Sequence, residues 1–172
     1  APNCSARGAG DVSSGGGQNC TSCPTGTFSS GFGASNGTNC SAGTYTDTRA
    51  STTCILCEKG YYQSGEGQSR CLACDTGRHA AESGMAKCAL CPAGFSTGSI
   101  IGATNCSACG AGYVSSGGVK NCTSCPTGTF SNGFSASNCT NCSAGTYTGT
   151  KASTTCTLCE KGYYQSGEGQ SN

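Results

Sequence analysis

Cysteine is the residue whose number and spacing could do chemistry in this chain. Eighteen of the 172 residues are Cys. Sixteen fall in eight Cys-x-x-Cys pairs, Cys20/Cys23, Cys54/Cys57, Cys71/Cys74, Cys88/Cys91, Cys106/Cys109, Cys122/Cys125, Cys139/Cys142 and Cys156/Cys159, while Cys4 and Cys40 stand alone. Two such pairs can hold a structural zinc ion. One pair in a βαβ setting can exchange electrons. Many pairs in a small secreted chain form a disulfide framework. Here the pairs run in tandem, with a single His and no βαβ pattern. Disulfides are the expectation, with no metal and no cofactor.

No other residues form a reacting constellation. His79 is the only His, and no Ser-His-Asp or Cys-His spacing can be built around it, so it reads as an exposed hairpin residue. Asp11, Asp47 and Asp75 are too scattered for a calcium loop. Ser-Gly-Gly-Gly lacks the Lys and helix of a phosphate loop. Glu58-Lys59 and Glu160-Lys161 read as a solvated turn face. The chain is expected not to be an enzyme.

Nor can a large apolar core position anything. Leu, Ile, Val and Phe total 15 residues, well under the roughly 20% below which chains struggle to fold. At ~25 cal/mol per Å² of apolar burial they cannot offset ordering entropy of ~1–2 kcal/mol per residue. Cross-links must do so, and a native disulfide contributes about 2–4 kcal/mol. Nine basic residues oppose eight acidic ones without a basic stripe, which excludes nucleic acid as a partner. No apolar run approaches the ~20 residues of a membrane span. The chain opens Ala1-Pro2-Asn3 without a signal peptide, as a mature or cropped product does.

Eight Asn-x-Ser/Thr sequons, at Asn3, Asn19, Asn36, Asn39, Asn105, Asn121, Asn138 and Asn141, agree with the cysteines in placing the chain outside the cell or on its surface, with covalent glycans. Most of these sequons have Cys in the middle position, where disulfide formation competes with glycosylation. At Asn36 the middle residue is Gly37.

Two repeats are nested. The second Cys of each pair, with Cys40 in phase, recurs every 16 to 18 residues, most often 17. A Gly follows each of them after two residues, and an aromatic usually stands just beyond, as at Phe28, Tyr45, Tyr61, Phe95, Tyr113, Phe130, Tyr147 and Tyr163. Arg78-His79 breaks the habit. On a longer period, residues 1–70 match 103–172 at 58 of 70 positions, an offset of 102, with residues 71–102 intervening. Thr, Tyr and Phe favour short strands, and Ser-Gly-rich runs supply turns. The expected fold is therefore a small disulfide-rich repeat. It is one continuous array of about ten hairpins over 1–172, elongated, with little or no helix, each unit contacting mainly its neighbours. The aromatics are candidates to pack on the adjacent disulfide.

Two pairing schemes fit the spacing. A neighbour ladder joins Cys40–Cys54, Cys57–Cys71, Cys74–Cys88, Cys91–Cys106, Cys109–Cys122, Cys125–Cys139 and Cys142–Cys156. A skip-one ladder joins Cys109 to Cys139 and its equivalents. Arg7 and Gly37 stand where the second copy has Cys109 and Cys139. In the neighbour ladder this double loss orphans Cys20 and Cys23, which could bond each other and leave Cys4 and Cys159 as half-sites for inter-segment disulfides.

The unit Cys-x-x-Cys-x-x-Gly-Thr-aromatic, clearest over 106–163, resembles the ephrin-receptor-like cysteine-rich repeat. It is also similar to tumour-necrosis-factor-receptor modules and to the C-terminal hairpin of EGF modules. The monotony is similar to that of protist surface antigens and flagellar-hair proteins. In those hairpin modules the next Cys closes the hairpin, so the resemblance favours the neighbour ladder.

Uniform units without a unique site suit an extracellular structural protein, a glycosylated filament, fibre or coat whose partner is itself, stacked head to tail. The alternative is a receptor-like or adhesive ectodomain that binds a protein through the deviant stretch 71–105, with Arg78-His79 and Ile100-Ile101.

Overall fold

A computed structural model describes residues 8–13 and 20–172. Among these residues there is no helix; nine two-stranded antiparallel hairpins follow one another. In chain order the strand pairs are β1 (Asp11–Ser13) with β2 (Cys20–Ser22), β3 (Thr27–Phe28) with β4 (Thr38–Asn39), β5 (Thr44–Tyr45) with β6 (Ile55–Leu56), and β7 (Tyr61–Tyr62) with β8 (Leu72–Ala73). They continue with β9 (Arg78–His79) and β10 (Ala89–Leu90), β11 (Phe95–Ser96) and β12 (Ser107–Ala108), and β13 (Tyr113–Val114) and β14 (Thr123–Ser124). The last pairs are β15 (Thr129–Phe130) with β16 (Thr140–Asn141), and β17 (Thr146–Tyr147) with β18 (Thr157–Leu158). Two compact units result. One holds the described residues up to Cys74 with Ala80–Cys88; the other holds Asp75–His79 with Ala89–Asn172.

The local code of a hairpin is a turn and a clip. In Pro24-Thr25-Gly26-Thr27 the Thr27 N–H donates to the Pro24 carbonyl, and Gly26 has φ 82°. Gly at the third position with positive φ makes this a type II turn. The Thr27 hydroxyl donates to the same carbonyl at 2.9 Å, and Thr44, Thr129 and Thr146 repeat the arrangement. The recurrent Thr after Gly thus serves the turn as well as the strand.

Within each compact unit, backbone hydrogen bonds tie neighbouring hairpins together. Within the first compact unit the Gly26 N–H donates to Thr46 O, Gly43 to Gln63 O and Gly60 to Ala80 O. In return Ala50 donates to Cys23 O, Gly67 to Cys40 O and Gly84 to Cys57 O. The second unit repeats the scheme, for example Gly112 to Ser131 O and Ser135 to Cys109 O. At Gly77 the Thr97 hydroxyl takes the place of the carbonyl, at 2.6 Å.

Contacts also reach the second neighbour, beyond the nearest-neighbour stacking expected from sequence. A Cβ at Gly26 would strike the Gly67 carbonyl oxygen, and one at Gly43 that of Gly84. In the second compact unit Gly94 and Ser135 stand in the same relation, as do Gly128 and Gly169. The turn glycine is therefore fixed twice, by its positive φ and by a backbone pressed against it.

What is buried is sulfur and hydroxyl rather than aliphatic carbon. Cys23, Cys40, Cys57, Cys74, Cys91, Cys109, Cys125 and Cys142 are at most 2% exposed. Ser29, Thr46, Gln63, Ser96, Thr97, Ser115, Ser131 and Thr148 are buried beside them, and no buried side-chain N or O among the described residues lacks a partner. Gln63, for instance, donates to Arg70 O at 2.7 Å and accepts from Gly65 N–H at 3.0 Å. Leu56, Leu90, Leu158, Ile100 and Ile101 lie outside, exposed.

Candidate functional site

The cysteines carry all the covalent chemistry of the array, and strand geometry decides who meets whom. The buried second Cys of a motif follows the return strand of one hairpin. The first Cys of the next motif, half-buried except at the buried Cys88, precedes the next return strand. Seven disulfides join them: Cys40–Cys54, Cys57–Cys71, Cys74–Cys88, Cys91–Cys106, Cys109–Cys122, Cys125–Cys139 and Cys142–Cys156, with Cα–Cα distances of 5.6–5.8 Å. Each links neighbours; Cys109 meets Cys122, not Cys139.

One pairing expected from sequence is corrected. Cys20 is disulfide-bonded, but not to Cys23, which is a free, fully buried thiol. Cys20 opens the extended strand β2. Three extended steps separate the two Cα atoms by roughly 10 Å, beyond the ~7 Å that a disulfide tolerates. Cys23 instead faces Gly37: a Cβ there would lie 3.1 Å from the Cys23 sulfur. An ideal disulfide sets Cβ about 3 Å from the partner sulfur. The socket for a disulfide between Cys23 and position 37 is thus kept, but the same Cβ would lie 3.1 Å from Thr27 Oγ1 and 3.3 Å from Thr27 Cβ, so the Thr27 side chain has to give slightly. Cys4, Arg7, Asn3 and Asn19 lie outside the described residues.

Cys159 is the second free thiol among the described residues. It opens on a 360 Å³ groove with Tyr147, Glu160, Tyr163 and Tyr164. The same groove one long repeat earlier is lined by Tyr45, Glu58, Tyr61 and Cys71. There Tyr61–Tyr62 pair with Leu72–Ala73, and Cys57 bonds Cys71. Tyr163 and Tyr164 form no strand and are 77% and 85% exposed, against 42% for Tyr61.

The second strand residue of a hairpin lies over the disulfide of the following one. Tyr62 packs against Cys74, Ala80 and Cys88; the aromatic expected from sequence to do so, Tyr61, is the first strand residue and is exposed. At the equivalent place Ser96 sets its hydroxyl 3.3 Å from Cys122 Sγ, and His79 sets Nδ1 3.3 Å from Cys106 Sγ. His79 is half-buried rather than the exposed residue expected from sequence. One of its ring nitrogens and the sulfurs of Cys91 and Cys106 lie within 4.8 Å of one another. Because the sulfurs are bonded to each other, the cluster is a disulfide beside an imidazole; metal ligation needs thiolates.

The remaining sites are surface features. Asn36, Asn39, Asn105, Asn121, Asn138 and Asn141 are all exposed. The half-cystines in the middle of five of these sequons are bonded. Lys59 reaches Glu82 at 4.0 Å with both side chains mostly solvated, a pair of small energetic worth. No helix among the described residues is long and apolar enough to cross a membrane.

A search of curated protein sequences finds no match. The family model described as tyrosine-protein kinase ephrin type A/B receptor-like matches four times, over residues 10–53, 43–84, 64–109 and 112–155. These matches span most of the array, and the repeats of that family are non-catalytic extracellular modules. With its hairpin repeat and disulfide ladder, the chain belongs to the ephrin-receptor-like cysteine-rich repeat family.

Proposed function

We propose that this chain is an extracellular structural protein, a glycosylated array that lengthens head to tail by adding one hairpin unit after another. The observation that supports this reading is the sameness of the units: a positive-φ turn Gly, the same backbone hydrogen bonds between hairpins and a disulfide to the neighbour recur along the described residues. Hairpins of this kind join through backbone and cysteine, without side-chain specificity, so the fitting partner of one array is another segment of the same kind. Uniform units then serve as the material of a fibre or coat, with exposed asparagines available for glycans.

Non-reducing electrophoresis of the protein as secreted tests this. Joining of separate arrays through disulfides gives a ladder or very large species that collapses on reduction. A single species of one chain's mass with and without reductant contradicts the reading.

A second reading is a receptor-like or adhesive ectodomain. It is favoured by Ile100 and Ile101, exposed on the loop of the most divergent hairpin. Binding of a protein partner that is lost in Ile100→Ser/Ile101→Ser, with assembly unchanged, would support it.

A further inference from the structure

The disulfides differ little in architecture. Each pairs a buried sulfur, at most 2% exposed, with a more accessible one. Thiol–disulfide exchange begins at whichever sulfur a thiolate can reach, here the first Cys of each motif, which is half-buried at Cys54, Cys71, Cys106, Cys122, Cys139 and Cys156 and buried at Cys88. A further difference is the residue laid over that sulfur. At Cys74–Cys88 it is Tyr62, an apolar shield. At Cys109–Cys122 it is the Ser96 hydroxyl, which has no useful proton affinity. At Cys91–Cys106 it is His79, with Nδ1 3.3 Å from Cys106 Sγ. His79 is the only imidazole in the chain.

We propose that Cys91–Cys106 is a thiol-exchange site, the bond at which a low-molecular-weight thiol opens the array, with His79 as its general base. In the resting contact Nδ1–H donates to the bonded Cys106 Sγ, which has no proton of its own; the reacting tautomer carries its proton on Nε2, leaving Nδ1 an acceptor. A thiol R–SH approaches the half-exposed Cys106 Sγ and gives its proton to Nδ1. Its sulfur bonds to Cys106 Sγ, the Cys91–Cys106 bond breaks, and the electron pair leaves on Cys91 Sγ. The three donor groups lie within 4.8 Å of one another, so the imidazolium can return the proton to the Cys91 thiolate. The products are a mixed disulfide on Cys106 and a thiol on Cys91. A second R–SH then releases Cys106 as a thiol and leaves as R–S–S–R. Two thiols are oxidised and one disulfide is reduced, with no net proton change.

Position also matters. Cys91 is buried and its carbonyl accepts the Gly118 N–H, while its own N–H donates to Gly77 O. Opening this bond loosens the hairpin that carries Ile100 and Ile101, whereas the other disulfides stay closed. The chemistry thus supplies a covalent modification site and a place where the array softens first.

The test is a time course of the intact, folded protein in dilute reduced glutathione. Samples are quenched in acid, alkylated and mapped by mass spectrometry, with the thiols of Cys23 and Cys159 counted at time zero. Cys91 and Cys106 are expected to become labelled at least ~10-fold faster than Cys109/Cys122 and Cys125/Cys139, a small share of what a positioned base can give. His79→Phe restores the aromatic habit of the repeat and should bring the bond to the rate of its neighbours. His79→Gln, which keeps a polar side chain without a base, should do the same. Equal rates along the ladder in the natural protein, or an unchanged fast rate in His79→Phe, would overturn the proposal.

Discussion

Cys23 and Gly37 show how much one side chain decides. The second copy bonds Cys125 to Cys139, and the first has every atom of that joint except a cysteine side chain at position 37. Gly37→Cys is expected to bond to Cys23 without moving the backbone. A closed loop of this size contributes about 2–4 kcal/mol, so the denaturation midpoint should rise and one buried thiol should vanish from titration. A Gly37→Cys protein in which Cys23 and the introduced thiol both stay free would show that the socket is not formed. At Ala50 and Ala152 the cost runs the other way. Both are left-handed, with φ 57°, where Gly67 and Gly84 stand in equivalent loops. Such a conformation costs a residue with Cβ roughly 1–2 kcal/mol, partly offset by the entropy that Gly loses. Ala50→Gly should therefore stabilise by about 0.5–1 kcal/mol. Glycosylation also belongs here. Asn36 is exposed and Gly37 carries no disulfide, so glycosidase treatment of native material should convert Asn36 to Asp in larger yield than Asn105 or Asn121.

The hairpin is the element, and the sequence exposes most of its logic. Gly at a fixed distance after Cys demands a turn, Thr and aromatics after it demand a strand, and equal loop lengths admit a neighbour ladder. Other contacts left no mark that could be read. The second-neighbour contact of Gly43 with Gly84 is backbone against backbone, so no side-chain pattern announces it; the Gly is already explained by its turn. The burial of Ser29, Thr46 and Gln63 was hidden because hydroxyls and amides read as loop residues until the carbonyls around them are in place. Cys20 and Cys23 looked like natural partners because both were left over, but an extended strand holds them apart. His79 looked like an exception to the aromatic rule when it occupies the same seat over the next disulfide. The element-scale prediction tests the second-neighbour contact. Gly43→Ala forces a Cβ into the Gly84 carbonyl at φ 83° and should cost ~3 kcal/mol or more. Gly31→Ala, with open space around it, should stay within about 0.5 kcal/mol. Equal midpoints for the two variants would remove the contact from the account.

For the whole molecule, cross-links replace the hydrophobic core. With cysteine sulfurs at the centre and most large apolar side chains outside, nothing remains to hold the hairpins once the bonds open. Complete reduction should abolish the dispersed amide signals of the native state without added denaturant, and reoxidation should restore them. The account stands most directly on which cysteines are joined. Proteolysis of the native, unreduced protein between half-cystines, followed by mass spectrometry of the linked peptides, reads this in one experiment. The expected map contains Cys40–Cys54, Cys57–Cys71, Cys74–Cys88, Cys91–Cys106, Cys109–Cys122, Cys125–Cys139 and Cys142–Cys156, with Cys23 recovered as a thiol. A peptide joining Cys109 to Cys139, a Cys20–Cys23 loop, or free thiols throughout the array would contradict it.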